Sequence, residues 1–174
     1  MYRLAIPALL ALAAAACTPV VQGGEPMPIS PDLAAGAHIG AIRVSSDWIN
    51  AEDDITATFT DEVREELSRC ATGPRTLDLN VHIDDLNRAS RLGAALNGSG
   101  MNALAATAEF TDPAQGGAVV GRYRIIAHAP VQGRVEGIFA DRQMVVSEEW
   151  GRELCRDAFG RNPREPGLHN ATPN

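Results

Sequence analysis

Residues Thr76–Asp84, TLDLNVHID, alternate without a break: Leu77, Leu79, Val81 and Ile83 are apolar, and Asp78, Asn80, His82 and Asp84 are polar. A strand sends successive side chains to opposite faces, so this period of two predicts a half-buried strand. His38–Val44 is a short β-branched stretch and predicts an earlier strand. Between the two, Ile55, Phe59, Val63, Leu67 and Cys70 recur at helical spacing, with Asp61, Glu62, Arg64, Glu65 and Glu66 on the other side. That pattern predicts a helix, capped by Asp53 or Asp54 and stopped by Gly73-Pro74.

Downstream the signals conflict once. Asn102–Phe110 is rich in alanine, which favours helix. Yet Leu104, Ala106, Ala108 and Phe110 alternate with Ala105, Thr107 and Glu109, and the period decides for a strand. Thr111–Gly117 has turn composition. Ala118–Ala129 then reads as a further strand, with Val119, Tyr123, Ile125 and Ala127 on one face and Arg122, Arg124 and His128 on the other. Two strands joined by such a turn form a hairpin. A second helix is expected over Asp141–Phe159, its stripe formed by Trp150, Leu154, Cys155 and Ala158, with Gly160 closing it.

The predicted order is β-α-β-β-β-α over residues 38–159. It implies an α+β domain in which an antiparallel sheet of about four strands carries two helices on one face. The chain length suits one such domain.

The ends read differently. MYRLAIPALLALAAAAC has one positive charge, Arg3, followed by an apolar run to Ala16, the pattern of an export signal over residues 1–16. The run is shorter than the ~20 residues of a membrane span. Ala14-Ala15-Ala16 satisfies the small-residue rule for cleavage before Cys17. The same bond, as Ala14-Ala15-Ala16-Cys17, resembles the lipobox of bacterial lipoproteins, with alanine where leucine is usual three places before the cysteine. Two readings are open: lipidation at Cys17, or a soluble exported chain that begins with a free cysteine. Residues 17–37, rich in proline and glycine at first, are expected to form the lipidated N-terminus and a flexible tether with a reach on the order of 20 Å. Residues 160–174 have a similar character and are expected to fray.

Composition narrows the partners. The formal net charge is −7 and no lysine occurs. An acidic balance argues against nucleic acid or anionic lipid as a general partner. Three cysteines leave one over in an exported protein. If Cys17 carries lipid, Cys70 and Cys155 remain as an even pair on the apolar stripes of the two helices. They form either a disulfide between neighbouring helices or two buried thiols.

Catalytic signals are faint. Gly98-Ser-Gly100-Met-Asn-Ala103 fits a dinucleotide fingerprint in spacing, but the residues after it alternate like a strand and no acid stands about 20 residues on. The run Arg91–Phe110 is therefore read as a glycine turn leading into a strand, and no cofactor is expected. His38, His82, His128 and His169 lack metal-ligand spacing, so no metal site is expected. His82 and Asp84 share one strand face and are the candidate acid/base pair. Together with Arg122, Arg124 and His128 they make a candidate binding face opposite the helices. The simpler reading of these residues is a solvated sheet face.

The layout resembles small bacterial lipoproteins, in particular the domain-of-unknown-function family numbered 4410. The resemblance rests on Arg91 followed by Gly93, Gly98 and Gly100, and on a strand ending in Phe110-Thr111-Asp112 before a glycine turn. It is also loosely similar to auxiliary lipoproteins of envelope transport assemblies. The resemblance implies a non-catalytic binding or scaffolding domain for an envelope protein, and no enzyme. It also implies a lipid anchor at the periplasmic side of the outer membrane, since Thr18 rather than aspartate follows Cys17. The alternatives are a soluble periplasmic or secreted enzyme using His82 and Asp84, and a module that binds lipid or adds a peptide strand to a sheet edge.

Overall fold

The computed structural model describes residue 21 and residues 23–47, 55–87, 101–130 and 142–161. Its elements are α1 (Pro31–Gly36), β1 (Ala37–Ser46), α2 (Thr56–Cys70), β2 (Arg75–Asn87), β3 (Met101–Asp112), β4 (Ala118–Pro130) and α3 (Arg142–Phe159). One 3₁₀ turn, Pro113–Gln115, precedes β4. The four strands form a single sheet in the order β1-β2-β3-β4. The fold class is α+β, as the sequence predicts.

One strand pair departs from the expected antiparallel sheet. β1 and β2 run parallel, whereas β2–β3 and β3–β4 are antiparallel. The reason is already in the order of elements. A helix between two neighbouring strands carries the chain back to the end where it started, so the second strand must run in the same direction. β3 and β4 are joined instead by a tight turn. There Asp112 accepts from Ala114 N at 2.9 Å, and Gly116 and Gly117 take φ values of 66° and 82°, which L side chains rarely adopt.

The alternation sets the core. Leu77, Leu79, Val81 and Ile83 of β2, Leu104, Ala106, Ala108 and Phe110 of β3, and Ile125, Ala127 and Ala129 of β4 are all buried. α2 lies over β1, and α3 over β4 and β3. Between them the helices bury Phe59, Val63, Leu67, Val146, Trp150 and Leu154. The small alanines occupy the middle of the sheet and the large rings come from the helices. Phe59 and Trp150 have centroids 5.0 Å apart, and Phe159 meets Phe110 edge-on at 5.7 Å, both favourable ring geometries.

Cys70 and Cys155 form a disulfide, with Cα atoms 5.9 Å apart and a sequence separation of 85. Of the two readings open to the sequence, the bond between α2 and α3 is the one found.

The N-terminal segment is less free than expected. Met27 pairs with Arg122 on the outer edge of β4 through two backbone hydrogen bonds, 2.9 and 2.7 Å long. Ile29 is buried, and its N–H donates to Tyr123 Oη at 2.8 Å. Gly121 makes the room: a Cβ there would stand 2.4 Å from Ile29 Cγ1. Residues 27–36 thus form a strap and a short helix on the domain, and the expected tether to residue 37 ends about ten residues sooner. Prolines hide a short alternation, Met27 and Ile29, whose side chains the sheet uses. At the other end Arg161 donates to Cys70 O at 2.8 Å, so residue 161 is docked also. Cys17, the glycines of residues 91–100 and the tail after residue 161 lie outside the described residues.

Candidate functional site

The sheet face turned away from the helices carries all five expected residues. Across it run register rows set by strand pairing. Asn80 of β2, Glu109 of β3 and Arg122 of β4 form one row; His82, Thr107 and Arg124 form the next; His128 faces Ala103 further along. Ser45 of β1 extends the second row beside His82.

Sharing a face does not bring His82 and Asp84 into contact. Residues two apart on a strand are separated by roughly 6.5 Å along it. The register also shifts between Ile83 and Asp85, a bulge that aims Asp84 toward β3. Asp84 Oδ2 accepts from Thr107 Oγ1 at 3.1 Å and lies 3.8 Å from Arg124 Nε. His82 turns to β1 instead: Nδ1 is 3.1 Å from Ser45 Oγ, and Nε2 is 3.5 Å from Asp47 Oδ1. The candidate His82/Asp84 acid/base pair is not formed.

Ser45, His82 and Asp47 have the residue types of a nucleophilic triad, and their hydrogen bonding argues for a cross-strand tie. Ser45 Oγ also lies 3.3 Å from Val81 O, a carbonyl that can only accept. A hydroxyl has one proton. With that proton on Val81 O, the serine accepts from His82, and the imidazole does not act as its base. Asp47 is 87% exposed, too wet to steady an imidazolium as a buried carboxylate does.

The two arginines differ sharply. Arg122 is consumed by structure: its Nε bonds Glu109 Oε1 at 2.7 Å, and its Nη1 donates to Glu25 O of the strap at 3.3 Å. Glu109 is 3% exposed, so this row of the outer face is covered rather than wet. Arg124 has 66% of its side chain exposed and, among the described residues, only the long contact to Asp84.

The polar residues singled out from the sequence leave aside an apolar part of this face. Ile126 is 55% exposed and Met101 52%. Ile126 pairs with Ala105, and Met101 with Pro130. A strip of Met101, Ala103, Ala105, Ile126 and Pro130 therefore runs along the outer side of β3 and β4, interrupted by His128. A signal for it exists in the chain: Ile126 stands at the polar parity of β4, between Arg124 and His128.

A hollow of about 480 Å³ opens where the strap and α1 meet the sheet end. It is lined by Met27, Leu33, Arg75, Gln115 and Val120 among others. Its polar wall is held by the fully buried Asp112, which accepts from Gln115 Nε2 at 2.7 Å, from Ala114 N and from Arg75. The Gln115 hydrogen bond holds the Asp112 carboxyl below the usual carboxylate range. Arg75 and the Ala114 N–H add to that effect against the opposing cost of burial. Burial pushes the Tyr123 hydroxyl upward, despite the hydrogen bond from Ile29 N–H. Among the described residues no group of three His, Cys, Asp or Glu side chains stands close enough to hold a metal ion. Likewise no described helix is long and apolar enough to cross a membrane.

No family model matches the chain, so the resemblance to the family numbered 4410 gains no support there. No curated protein matches either. Among solved structures the chain is similar to a Caulobacter crescentus protein provisionally described as a lipoprotein. The identity is 18% and the TM-score 0.42, over 66% of this chain and 86% of that one. A likeness this slight carries no argument about this chain.

Proposed function

We propose that this chain is an exported lipoprotein, anchored through Cys17, whose domain binds another envelope protein and performs no chemistry of its own. The observation that carries this reading is the Cys70–Cys155 disulfide. Such bonds form and persist in oxidising compartments. It also accounts for two of the three cysteines, leaving Cys17, directly after the export signal, as the odd one. A lipid there resolves the cysteine arithmetic. The outer sheet face supports the binding reading. There Arg122 is held by Glu109 and His82 by Ser45, while the exposed surface is an apolar strip beside an accessible arginine, the kind of patch that marks a contact site. Thr18 after Cys17 favours the periplasmic side of the outer membrane.

Intact mass spectrometry of the membrane-extracted protein tests the anchor. The expected product begins at Cys17 and carries diacylglyceryl and acyl groups, and Cys17→Ala leaves the protein in the soluble fraction. A bare thiol at Cys17, with free release into the medium, would overturn the reading. His82→Ala and Asp84→Ala are expected to leave envelope phenotypes unchanged, whereas Ile126→Asp is expected to reproduce the loss of the whole protein.

A further inference from the structure

We propose that the outer edge of β4 from Arg124 to His128 receives an added antiparallel strand from the envelope partner. This inference rests on the binding reading above and names its mode. Backbone parity fixes which groups the edge offers. Arg122 directs both its N–H and its C=O to Met27, away from β3. Peptide groups alternate along a strand, so Arg124, Ile126 and His128 direct theirs outward too, and the odd-numbered residues bond to β3. Among the described residues none pairs with these three.

The strap shows that this edge accepts a strand, and also why the strap stops. Met27 makes one full pair, at 2.7 and 2.9 Å. Pro26 and Pro28 on either side have no N–H, which keeps further strands off the strap's own outer side. Beyond Met27 the chain crosses over the Arg122 side chain, giving Glu25 O to its guanidinium at 3.3 Å instead of continuing beside Arg124. Pro130 lacks an N–H and closes the far end. What remains is a five-residue edge bordered by the exposed strip of Ile126 and Met101, a form that folded proteins normally blunt.

The occupant is an extended segment of another protein, with a carboxylate beside Arg124 and an apolar side chain over Ile126. Arg124 is 66% exposed and holds Asp84 only at 3.8 Å, so it has capacity for a second carboxylate. A second copy of this chain fits less well. Antiparallel self-pairing about Ile126 sets Arg124 opposite the other copy's His128, with no acid on either edge. Strand addition draws affinity from main-chain hydrogen bonds and specificity from alternate side chains, which suits so short an edge.

The test uses the full chain in living cells, with a photo-crosslinking residue placed singly at positions 124, 126 and 128 and, for comparison, at Ala103 and Ala105 on the open face. The expected result is one envelope protein captured from all three edge positions. Its crosslinked residues should step by two in reverse order as the position rises from 124 to 128. Ile126→Pro removes an outward N–H without touching the β3 ladder, so capture from position 124 should fall at least tenfold with little change in melting temperature. Ile126→Val should retain it. Should the proline variant unfold, Arg124→Glu reads the same question, with at least a fivefold loss from position 128 expected. Capture of this chain alone, partner residues without the two-residue step, or full capture by Ile126→Pro would overturn the inference. Capture from 103 and 105 but not from the edge would leave the binding reading standing and remove strand addition. No protein captured from any position would remove both.

Discussion

Asp112 shows how one carboxylate can organise a turn and the wall of a hollow at once. It is fully buried; Arg75 supplies the countercharge, and Gln115 and the Ala114 N–H donate hydrogen bonds. Its pKa in the folded chain lies below the ordinary value of 3.8, first through the Gln115 hydrogen bond. A lowered pKa means that the unfolded chain binds the proton more readily. The stabilisation is therefore complete above the ordinary carboxylate pKa and lost as pH falls through the lower, folded value. Thermal melts from pH 6 down to pH 2 should show an acid-side loss in the wild type that Asp112→Asn lacks, the variant being less stable at neutral pH. Parallel curves for the two proteins would refute the assignment. Gly121 supplies a second residue-scale case. Its Cα faces Ile29, and Gly121→Ala forces a Cβ to within 2.4 Å of the isoleucine unless the strap lifts. Overpacking of this kind costs on the order of 1–3 kcal/mol. Limited proteolysis should then cut near Met27 faster than in the wild type, while the β2–β3 ladder keeps its hydrogen-exchange protection.

Between elements, the largest single tie is the bond joining α2 to α3. It closes a loop of 85 residues, and constraining a loop that long in the unfolded chain contributes about 4–5 kcal/mol in the chain-entropy model. Cys70→Ser/Cys155→Ser should lose stability of that order in denaturant titrations, and reductant should destabilise the wild type but not the double variant. An equal midpoint for the two under oxidising conditions would show that helix packing alone suffices. Most of the elements are legible in the sequence for a simple reason. Leu77 to Ile83 and Leu104 to Phe110 each bury every second residue, and a period of two survives a poor intrinsic propensity such as that of Ala106 and Ala108. What escapes depends on relations that no periodicity encodes. The parallel β1–β2 pair follows from connectivity, although a reader drawn to hairpins overlooks it. The docked strap rests on two apolar residues set among prolines. The bulge after Ile83, which parts His82 from Asp84, is marked in β2 only by the doubled Asp84-Asp85, which breaks the period of two between Ile83 and Leu86; that it turns Asp84 to β3 depends on the pairing. At the site, faces are predictable and partners are not: His82 lies on the expected face, yet bonds to Ser45 across a strand boundary.

For the whole molecule, the docked strap determines how an anchored domain would stand. With lipid on Cys17, only about ten residues separate the anchor from Met27, a reach of about 17 Å if flexible. That tether joins the domain at β4, so the β4 side lies nearest the membrane. α2 lies over β1, at the opposite end of the sheet and on its other face. Local charge adds little to this orientation, because on the near side Arg122 is paired with Glu109 and Arg124 lies beside Asp84. Without Arg3 of the export signal, 14 basic side chains stand against 22 acidic ones, a formal charge of −8 that adds a repulsion from anionic headgroups, screened beyond about 8 Å at physiological ionic strength. The domain is thus expected to stand with its β4 edge toward the membrane, at a distance set by the tether that leaves the edge open, rather than lie flat on its sheet. Fluorophores placed singly at position 126 and at position 65 distinguish these arrangements in vesicles that carry a headgroup-attached quencher. Quenching should be stronger at position 126. Because a covalent strap enforces the geometry, the contrast should persist when salt is raised to about 1 M, where the Debye length falls to about 3 Å. Inserting a long Gly/Ser segment before Met27 should abolish it. Equal quenching at both positions with the native tether would mean that the strap does not orient the domain. A contrast that vanished in salt alone would transfer the cause from the strap to the charges.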